Sequence, residues 1–344
     1  MKGFLKYLSP FAPDNSGVVS ALFEFGGLIA ICDAGGCTGN VCGFDEPRWF
    51  TMKSAVFSTG MRDMDAILGR DNMLVDKIVS AQQTVQAPFV VLVGTPVPAV
   101  IATDFKALRR MAEKRTQVPV LTVESTGVNY YDKGASKAYE MLFDTFAVNK
   151  LPVKSGCTGI IGATPLDFSS LEAASHIADS LPGEVKIYGM GSGLEDVRSA
   201  SQNELNIAVS PSGVAAAVLL EKRFGTPWKM FCPWIPESVK RAAALLKGKR
   251  VLVVHQHFAA LAMKGFLLEA GAEAVSVASW FAMERSLVEK EDFQLREESS
   301  LADAVAEFKA DAVIGDRNLK KVLGGFQGTF IDWPHFAVSG RLLD

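Results

Sequence analysis

Three of the chain's five cysteines lie within eleven residues, in the run Cys32-Asp-Ala-Gly-Gly-Cys37-Thr-Gly-Asn-Val-Cys42. Thiolates crowded onto a glycine-rich turn can all bind one soft metal centre. The spacing differs from compact zinc motifs, in which two cysteines usually lie roughly two to four residues apart. Iron–sulfur clusters accept wider spacings. The run therefore predicts a metal cluster, iron–sulfur before zinc. The alternative is a buried turn of unliganded cysteines, which are among the most buried residue types.

The overall composition is typical of a compact globular protein. A length of 344 residues exceeds what one core usually supports and suggests two or three domains. The net charge of -3 gives no electrostatic reason to expect nucleic acid as a partner. The apolar runs are too short to span a membrane, and the N-terminus does not resemble a signal peptide. We therefore expect a cytoplasmic protein with reduced thiols rather than a disulfide framework.

Short apolar runs suited to buried parallel strands alternate with amphipathic helical segments along the chain. This alternation indicates parallel sheets covered by helices on both faces. Hinges at 149–155 and 246–250 divide the chain, which predicts three Rossmann-like α/β domains at residues 1–150, 151–246 and 247–344. The predicted strands are Leu28–Cys32, Phe89–Val93, Val118–Val123, Thr158–Gly162, Val185–Tyr188, Leu205–Val209, Arg250–Val254, Ala274–Val277 and Ala312–Gly315.

Several segments, read in order, resemble component 1 of nitrogenase and the wider family of nitrogenase-like reductases. The opening helix, strand and Gly36-Cys37 turn are similar to the start of that family. The segments that continue the resemblance are Phe57-Ser-Thr-Gly-Met-Arg-Asp-Met-Asp-Ala-Ile-Leu-Gly69, Thr95-Pro-Val-Pro-Ala-Val-Ile-Ala-Thr-Asp104, Val120-Leu-Thr-Val-Glu-Ser-Thr-Gly127, Ile160-Ile-Gly-Ala-Thr-Pro165 and Leu220-Glu-Lys-Arg-Phe-Gly-Thr-Pro227.

This resemblance implies three domains around a central cleft and a homodimer that carries an iron–sulfur cluster of the [4Fe–4S] type. An ATP-dependent iron–sulfur reductase, similar to the nitrogenase iron protein, would supply electrons, since this chain has no Walker loop. The protein would use these electrons to reduce an unidentified small molecule or cofactor. The chain is shorter than a nitrogenase subunit and closer to small single-subunit relatives. The alternatives are a metallocluster scaffold or carrier without reductase activity, and a small-molecule binding module that has lost its cluster.

The departures from the family pattern concern the metal ligands. Family members place one cluster cysteine in each of three turns, and only Cys37 occupies such a position here. The other two positions fall near Ser9 or Pro10 and near Pro96, which cannot bind iron as thiolates do. The cysteine and histidine that hold the catalytic cofactor of nitrogenase have no clear counterparts. The resemblance therefore does not extend to dinitrogen reduction.

The predicted cluster site consists of Cys32, Cys37 and Cys42, with Gly36 bringing backbone amides close to sulfur. Three thiolates leave one iron of a [4Fe–4S] cluster without a cysteine ligand. Asp33 or Asp45 could supply the fourth ligand, and so could an exogenous ligand or a residue of a partner subunit. Because open α/β sheets bind ligands beyond the carboxyl ends of their strands, the turn after the first strand is well placed for such a site.

Candidate proton donors lie near other strand ends. His255 and His257 follow a predicted strand, and in an extended segment their rings would point the same way. They are interpreted as a metal or substrate contact or, alternatively, as a structural hydrogen-bonded pair. His335 resembles a family loop that often lines the cofactor cavity. Glu124 and Asp104 are candidate proton donors only if they line the cleft.

The remaining chemistry-bearing residues are interpreted as structural. Cys157 and Cys232 are expected to fill a packed turn and an apolar core. The segment Gly189-Met-Gly-Ser-Gly193 looks superficially like a dinucleotide fingerprint, but it lacks the third glycine and the later acidic residue of that motif. We expect a glycine turn that leads into a helix, with Ser192 as a possible cap.

Overall fold

The protein, a computed structural model that describes residues 6–343, forms three parallel sheets flanked by helices. The sheets are built from residues 28–123, 157–230 and 250–332. This architecture confirms the predicted α/β class. The predicted domain boundaries at 150 and 246 fall in the connections between sheets and stay predictions. Within the described residues, no helix has the length and apolar character needed to cross a membrane.

The first sheet forms from four short strands, of which β2 at the edge is partly exposed and the other three are mostly buried. The strands are β1 Leu28–Ile31, β2 Ala55–Ser58, β3 Val90–Val93 and β4 Val120–Val123, and the helices are α1 Asp14–Leu22, α2 Gly36–Asn40, α3 Asp63–Leu68, α4 Asp71–Val85, α5 Pro96–Val100, α6 Phe105–Thr116 and α7 Tyr131–Phe146. The strand order is β2-β1-β3-β4. A π-helical turn at Val41–Asp45 and a 3-10 turn at Pro47–Phe50 continue the chain after α2.

The second sheet repeats this arrangement with the order β6-β5-β7-β8, where β5 is Cys157–Ile161, β6 Glu184–Ile187, β7 Leu205–Ala208 and β8 Trp228–Met230. Its helices are α8 Pro165–Phe168, α9 Ala173–Asp179, α10 Leu194–Arg198, α11 Val214–Phe224 and α12 Glu237–Ala243.

The third sheet has five strands, which are β9 Arg250–Val254, β10 Ala274–Ser279, β11 Phe293–Gln294, β12 Ala312–Gly315 and β13 Thr329–Asp332. They pair in the order β11-β10-β9-β12-β13. Its helices are α13 His257–Glu269, α14 Glu298–Phe308 and α15 Phe336–Ser339.

The two faces of β1 contribute to different apolar clusters, because successive side chains of a strand point to opposite faces. Leu28 and Ala30 pack with α4 and α6 on one face. Ile29 and Ile31 pack on the other face in a cluster that also contains side chains of α1, α7 and α11. Helix α7 therefore packs against both the first sheet and a helix of the second.

Helices α1 and α7 approach so closely that their contact requires glycine. A Cβ atom at Gly17 would lie 1.9 Å from the Tyr131 carbonyl oxygen, and one at Gly134 would lie 1.8 Å from the Asp14 carbonyl oxygen. No rearrangement of a flexible side chain can relieve such a clash, since both obstacles are backbone atoms.

We therefore expect Gly134→Ala to destabilise the protein by about 3 kcal/mol, the upper part of the range for overpacking. The matched control is Gly265→Ala in α13, where an added Cβ meets no atom within 4 Å. That control should be neutral or stabilise by up to about 1 kcal/mol through helix propensity. The midpoint of urea unfolding measures both variants, and equal midpoints would contradict the steric argument.

Candidate functional site

The cysteine turn, defined as residues 32–45, leaves the carboxyl end of β1, but its first cysteine points back into the protein. Cys32 is fully buried in the cluster that contains Leu28 and Ala30, and its Sγ lies 4.0 Å from the Ala30 carbonyl oxygen. Burial, assisted by the nearby Asp33 charge, raises the pKa of the Cys32 thiol to about 12. Its environment is therefore that of a neutral core thiol.

Asp33 organises the rest of the turn. Its buried carboxylate accepts hydrogen bonds from the Thr38 backbone N–H at 2.8 Å and from the Ser58 hydroxyl at 2.5 Å. Gly35 precedes α2 with a φ of 115°, a left-handed conformation that favours glycine. Gly36, predicted to contact the cofactor, begins α2, and a Cβ atom added there would meet no atom within 4 Å. The Asp33 oxygens are thus occupied in holding the turn.

Cys37 and Cys42 are both partly exposed. Cys37 lies against the cluster that contains Ile29 and Ile31, on the opposite face of the sheet from Cys32. Burial and then the charge of Asp33 raise the pKa of the Cys37 thiol, and burial followed by the charges of Glu46 and Asp33 raises that of Cys42. Both thiols thus lie near negative charges, which favour their neutral forms. A bound cation would have the opposite effect and strongly favour the thiolates.

Asp45, the other candidate ligand, is also engaged. Its Oδ2 accepts hydrogen bonds from the Ser16 hydroxyl at 2.6 Å and from the Asn40 amide at 2.7 Å. Burial raises the pKa of this carboxyl group. Among the side chains that the structure describes, no three of His, Cys, Asp or Glu are arranged to hold one metal ion. In the turn of one chain, Cys37 and Cys42 are therefore the two partly exposed thiols, and they do not form a complete metal ligand set with other described side chains.

Large apolar side chains are exposed beside these thiols. Phe44 is 74% exposed and Phe50 is 77% exposed, and Met52 follows at 44%. Since exposed aromatic side chains in a group often mark a protein interface, this segment differs from an ordinary solvent-facing loop.

A second group of polar side chains lies deep inside the protein, where the third sheet meets α7 and α8. The ring of His255 stacks on Trp333 with a centroid distance of 4.1 Å, and the His335 ring lies 4.4 Å from it. His255 has one ring nitrogen near the Pro334 carbonyl oxygen, whereas both ring nitrogens of His335 are buried without a partner. Burial lowers the pKa of His255 to about 3 and that of His335 well below its usual value. Both imidazoles are therefore neutral.

Tyr131 and Asp167 join this group, and the sequence analysis missed both. The Tyr131 hydroxyl donates to Asp167 Oδ1 at 2.8 Å, and its ring contacts His335 at a centroid distance of 5.8 Å. Burial raises the pKa of Asp167 to about 7, although hydrogen bonds from Thr164 and Tyr131 oppose that shift. The available signal was Thr164-Pro-Leu-Asp167, a Thr-x-x-Asp helix start directly after a predicted strand.

The other predicted site residues have contacts of their own, outside the group around His255 and His335. His257 begins α13, and its Nδ1 accepts the Glu284 N–H at 2.9 Å, so it does not share the surroundings of His255. Glu124 is exposed and offers its backbone oxygen to Lys137. Asp104 caps α6.

Cys157 and Cys232 are buried, as their interpretation as packing residues predicts. Cys157 Sγ contacts Asn203 Oδ1 at 3.4 Å, and Cys232 Sγ contacts the Trp234 carbonyl oxygen at 3.2 Å. The glycine turn, residues 189–193, leads into α10 as expected. Its cap is Gly193, whose N–H donates to Asp196, rather than Ser192.

The three-sheet fold is that of nitrogenase component 1. Two solved structures, "Nitrogenase Cp1 at pH 6.5" and "Nitrogenase Cp1 at pH 5", each superpose with a TM-score of 0.72. The first is 12% identical and the alignment covers 97% of this chain and 87% of that one. The second is 13% identical, with coverage of 99% and 86%. At such identity the likeness concerns the fold alone.

The sequence itself matches the family described as Nitrogenase component 1 type Oxidoreductase over residues 17–235. The chain therefore belongs to this family, which confirms the resemblance drawn from its motifs. A search of curated proteins finds no match. Members of the family normally bind iron–sulfur clusters, and nitrogenase component 1 pairs with an iron protein.

Proposed function

We propose that this protein is a nitrogenase-like oxidoreductase component that binds an iron–sulfur cluster through Cys37 and Cys42. The observation that carries the proposal is the position of these two thiols, which are partly exposed on one helical segment at the carboxyl edge of the first sheet. Thiolates are the ligands of iron–sulfur clusters, and such a cluster supplies one-electron transfer when bound.

A second copy of the chain completes the ligand set in this proposal. A [4Fe–4S] cluster takes about four ligands, and two thiols from each of two protomers match that number. An isologous dimer brings the same surface of each copy to the two-fold axis. The exposed Phe44 and Phe50 supply apolar area beside the thiols for such an interface. Cys32, Asp33 and Asp45 then hold the turn instead of the metal.

Electron supply and substrate are the further parts of the proposal. An ATP-dependent iron–sulfur reductase resembling the nitrogenase iron protein donates the electrons, and the acceptor is a small molecule or cofactor. Reduction also consumes protons. Asp167, whose pKa burial raises to about 7 and whose Oδ1 accepts a hydrogen bond from the Tyr131 hydroxyl, is the group best suited to move a proton in the interior.

Strictly anaerobic isolation tests the cluster. We expect a brown protein with about four iron and four sulfide per dimer, which is the content of one [4Fe–4S] cluster. Dithionite reduction should give an electron paramagnetic resonance signal of a reduced cluster, and size-exclusion chromatography should show a dimer. A colourless, iron-free protein would refute the cluster and leave a binding module.

A cluster carrier is the second candidate function, and the partial exposure of both thiols favours it, because a transferable cluster must be reachable from solvent. Incubation of the loaded protein with an apo-ferredoxin distinguishes the two. A carrier transfers its iron to the acceptor within minutes, whereas a reductase component retains it and is reoxidised by substrate.

A further inference from the structure

Arg48, three residues after the cysteine turn, is only 2% exposed and uses every donor of its guanidinium group. Such a group has five N–H donors. Nε and Nη2 each donate to one carboxylate oxygen of Glu46 at 2.7 Å. Nη1 donates to Glu24 Oε1 at 2.8 Å and to the Gly189 carbonyl oxygen at 2.6 Å. Nη2 also donates to the Ser20 carbonyl oxygen at 2.6 Å.

The glycine turn of the second sheet supplies the far end of this network. Besides the carbonyl of Gly189, the Gly191 N–H donates to Glu24 Oε2 at 2.6 Å. Gly189 has a φ of 101°, and a Cβ atom there would lie 2.1 Å from the Tyr139 hydroxyl oxygen. The glycines that looked like a nucleotide fingerprint are thus explained by a close backbone contact with the first part of the chain.

The network joins three separate pieces of the protein. Ser20 and Glu24 belong to α1 or its end, Glu46 and Arg48 follow the cysteine turn, and Gly189 lies in the glycine turn. A bidentate arginine–carboxylate pair has fixed geometry, and removal of one partner leaves a buried charge uncompensated. The end of the cysteine turn is therefore held rigidly relative to both the first and the second sheet.

We propose that Arg48 is a positioning residue for the Cys37 and Cys42 thiols. It fixes the cysteine turn relative to the glycine turn. The role in metal binding rests on the proposed function. The positioning itself does not, since it can be measured on thiols without iron.

The experiment measures alkylation of each cysteine by iodoacetamide in the full-length chain after anaerobic removal of iron, with mass spectrometry to identify the sites. In Arg48→Lys, which keeps the charge but loses the bidentate pair, we expect Cys37 and Cys42 to react about tenfold faster, which corresponds to about 1.4 kcal/mol. Gly189→Ala, made in the glycine turn, should accelerate the same two thiols. Cys157 and Cys232 should keep their slow rates in both variants.

The buried cysteines separate positioning from general destabilisation, because global unfolding exposes all five thiols together. Arg109→Lys is the matched control, since Arg109 forms a partly exposed ion pair with Glu113 on α6. If Arg48→Lys does not fold, Glu24→Gln weakens the same network with a smaller change of charge and shape. Unchanged Cys37 and Cys42 rates, or equal acceleration at Cys157 and Cys232, would overturn the proposal. If Cys37 and Cys42 react faster in the variants but the native protein contains no iron, the positioning role of Arg48 stands and the proposed cluster is refuted.

Discussion

Replacement of Cys37 or Cys42 by alanine is expected to abolish iron binding, whereas Cys32→Ala should leave the iron content unchanged. The difference follows from the two faces of the first sheet. Cys32 points into the core beside Leu28, while Cys37 lies on the other side and is partly exposed. Iron and sulfide analysis after anaerobic isolation measures the effect, and the loss should exceed about tenfold because two of four ligands disappear per dimer.

Stability must be separated from ligation in this comparison. Cys32→Ala removes a buried sulfur and should lower stability by roughly 1 kcal/mol, as core truncations by one heavy atom do. Cys232→Ala is the matched control, since that thiol is also buried and lies in another part of the chain. If Cys32→Ala lost iron as completely as Cys37→Ala, the original three-thiol prediction would be restored and the two-thiol proposal abandoned.

The buried histidines predict a strong dependence of stability on pH. Both His255 and His335 have pKa values in the folded protein below the ordinary value of 6.5, about 3 for His255. As the pH falls below 6.5, the unfolded chain binds protons that the folded chain does not, so stability falls with decreasing pH. Each histidine contributes about 1.4 kcal/mol per pH unit within that window.

Asp167 acts in the opposite direction. Its folded pKa of about 7 exceeds the ordinary 3.8, so the folded protein binds the extra proton between these values and gains stability as the pH falls. The clean measurement is therefore a difference between variants. His335→Phe keeps an aromatic ring and removes one titration, so urea unfolding between pH 6.5 and 5 should show a slope smaller by about 1 kcal/mol per pH unit, because the unfolded histidine is only half protonated at pH 6.5. Parallel slopes for wild type and variant would show that His335 titrates normally.

The strands that the sequence failed to reveal are all edge strands. The structure contains every predicted strand, and it adds β2, β8, β11 and β13, each at one end of its sheet. A strand inside a parallel sheet is covered on both faces and reads as a continuous apolar run. The four missed edge strands are partly exposed, and β8 and β11 have only three and two residues, so their composition is not distinctive.

The sequence predicts where the cysteine turn lies in the chain, but not the side of the sheet on which each sulfur lies. Spacing in the chain shows that Cys32, Cys37 and Cys42 are near one another, yet it does not show which helices cover each face of β1. Because side chains alternate across a strand, the continuation of that alternation through Cys32 sends its sulfur to the α4 and α6 face. The contact between His255 and His335 was not predictable either, because the two residues are distant in sequence and only the fold brings them together.

The packing of α7 has a consequence for how the chain acquires its structure during synthesis. The apolar cluster on one face of the first sheet is completed by Leu142 and Phe143 of α7 together with Ala216 and Leu220 of α11. Residues that lie before 150 thus share their core with residues made some 70 positions later. As a ribosome adds on the order of 5 to 20 residues per second, α7 emerges seconds before α11, the helix that packs on its other side. The side of α7 that packs against α11 stays uncovered during that interval, so the first and second sheets can dock only after α11 has been made.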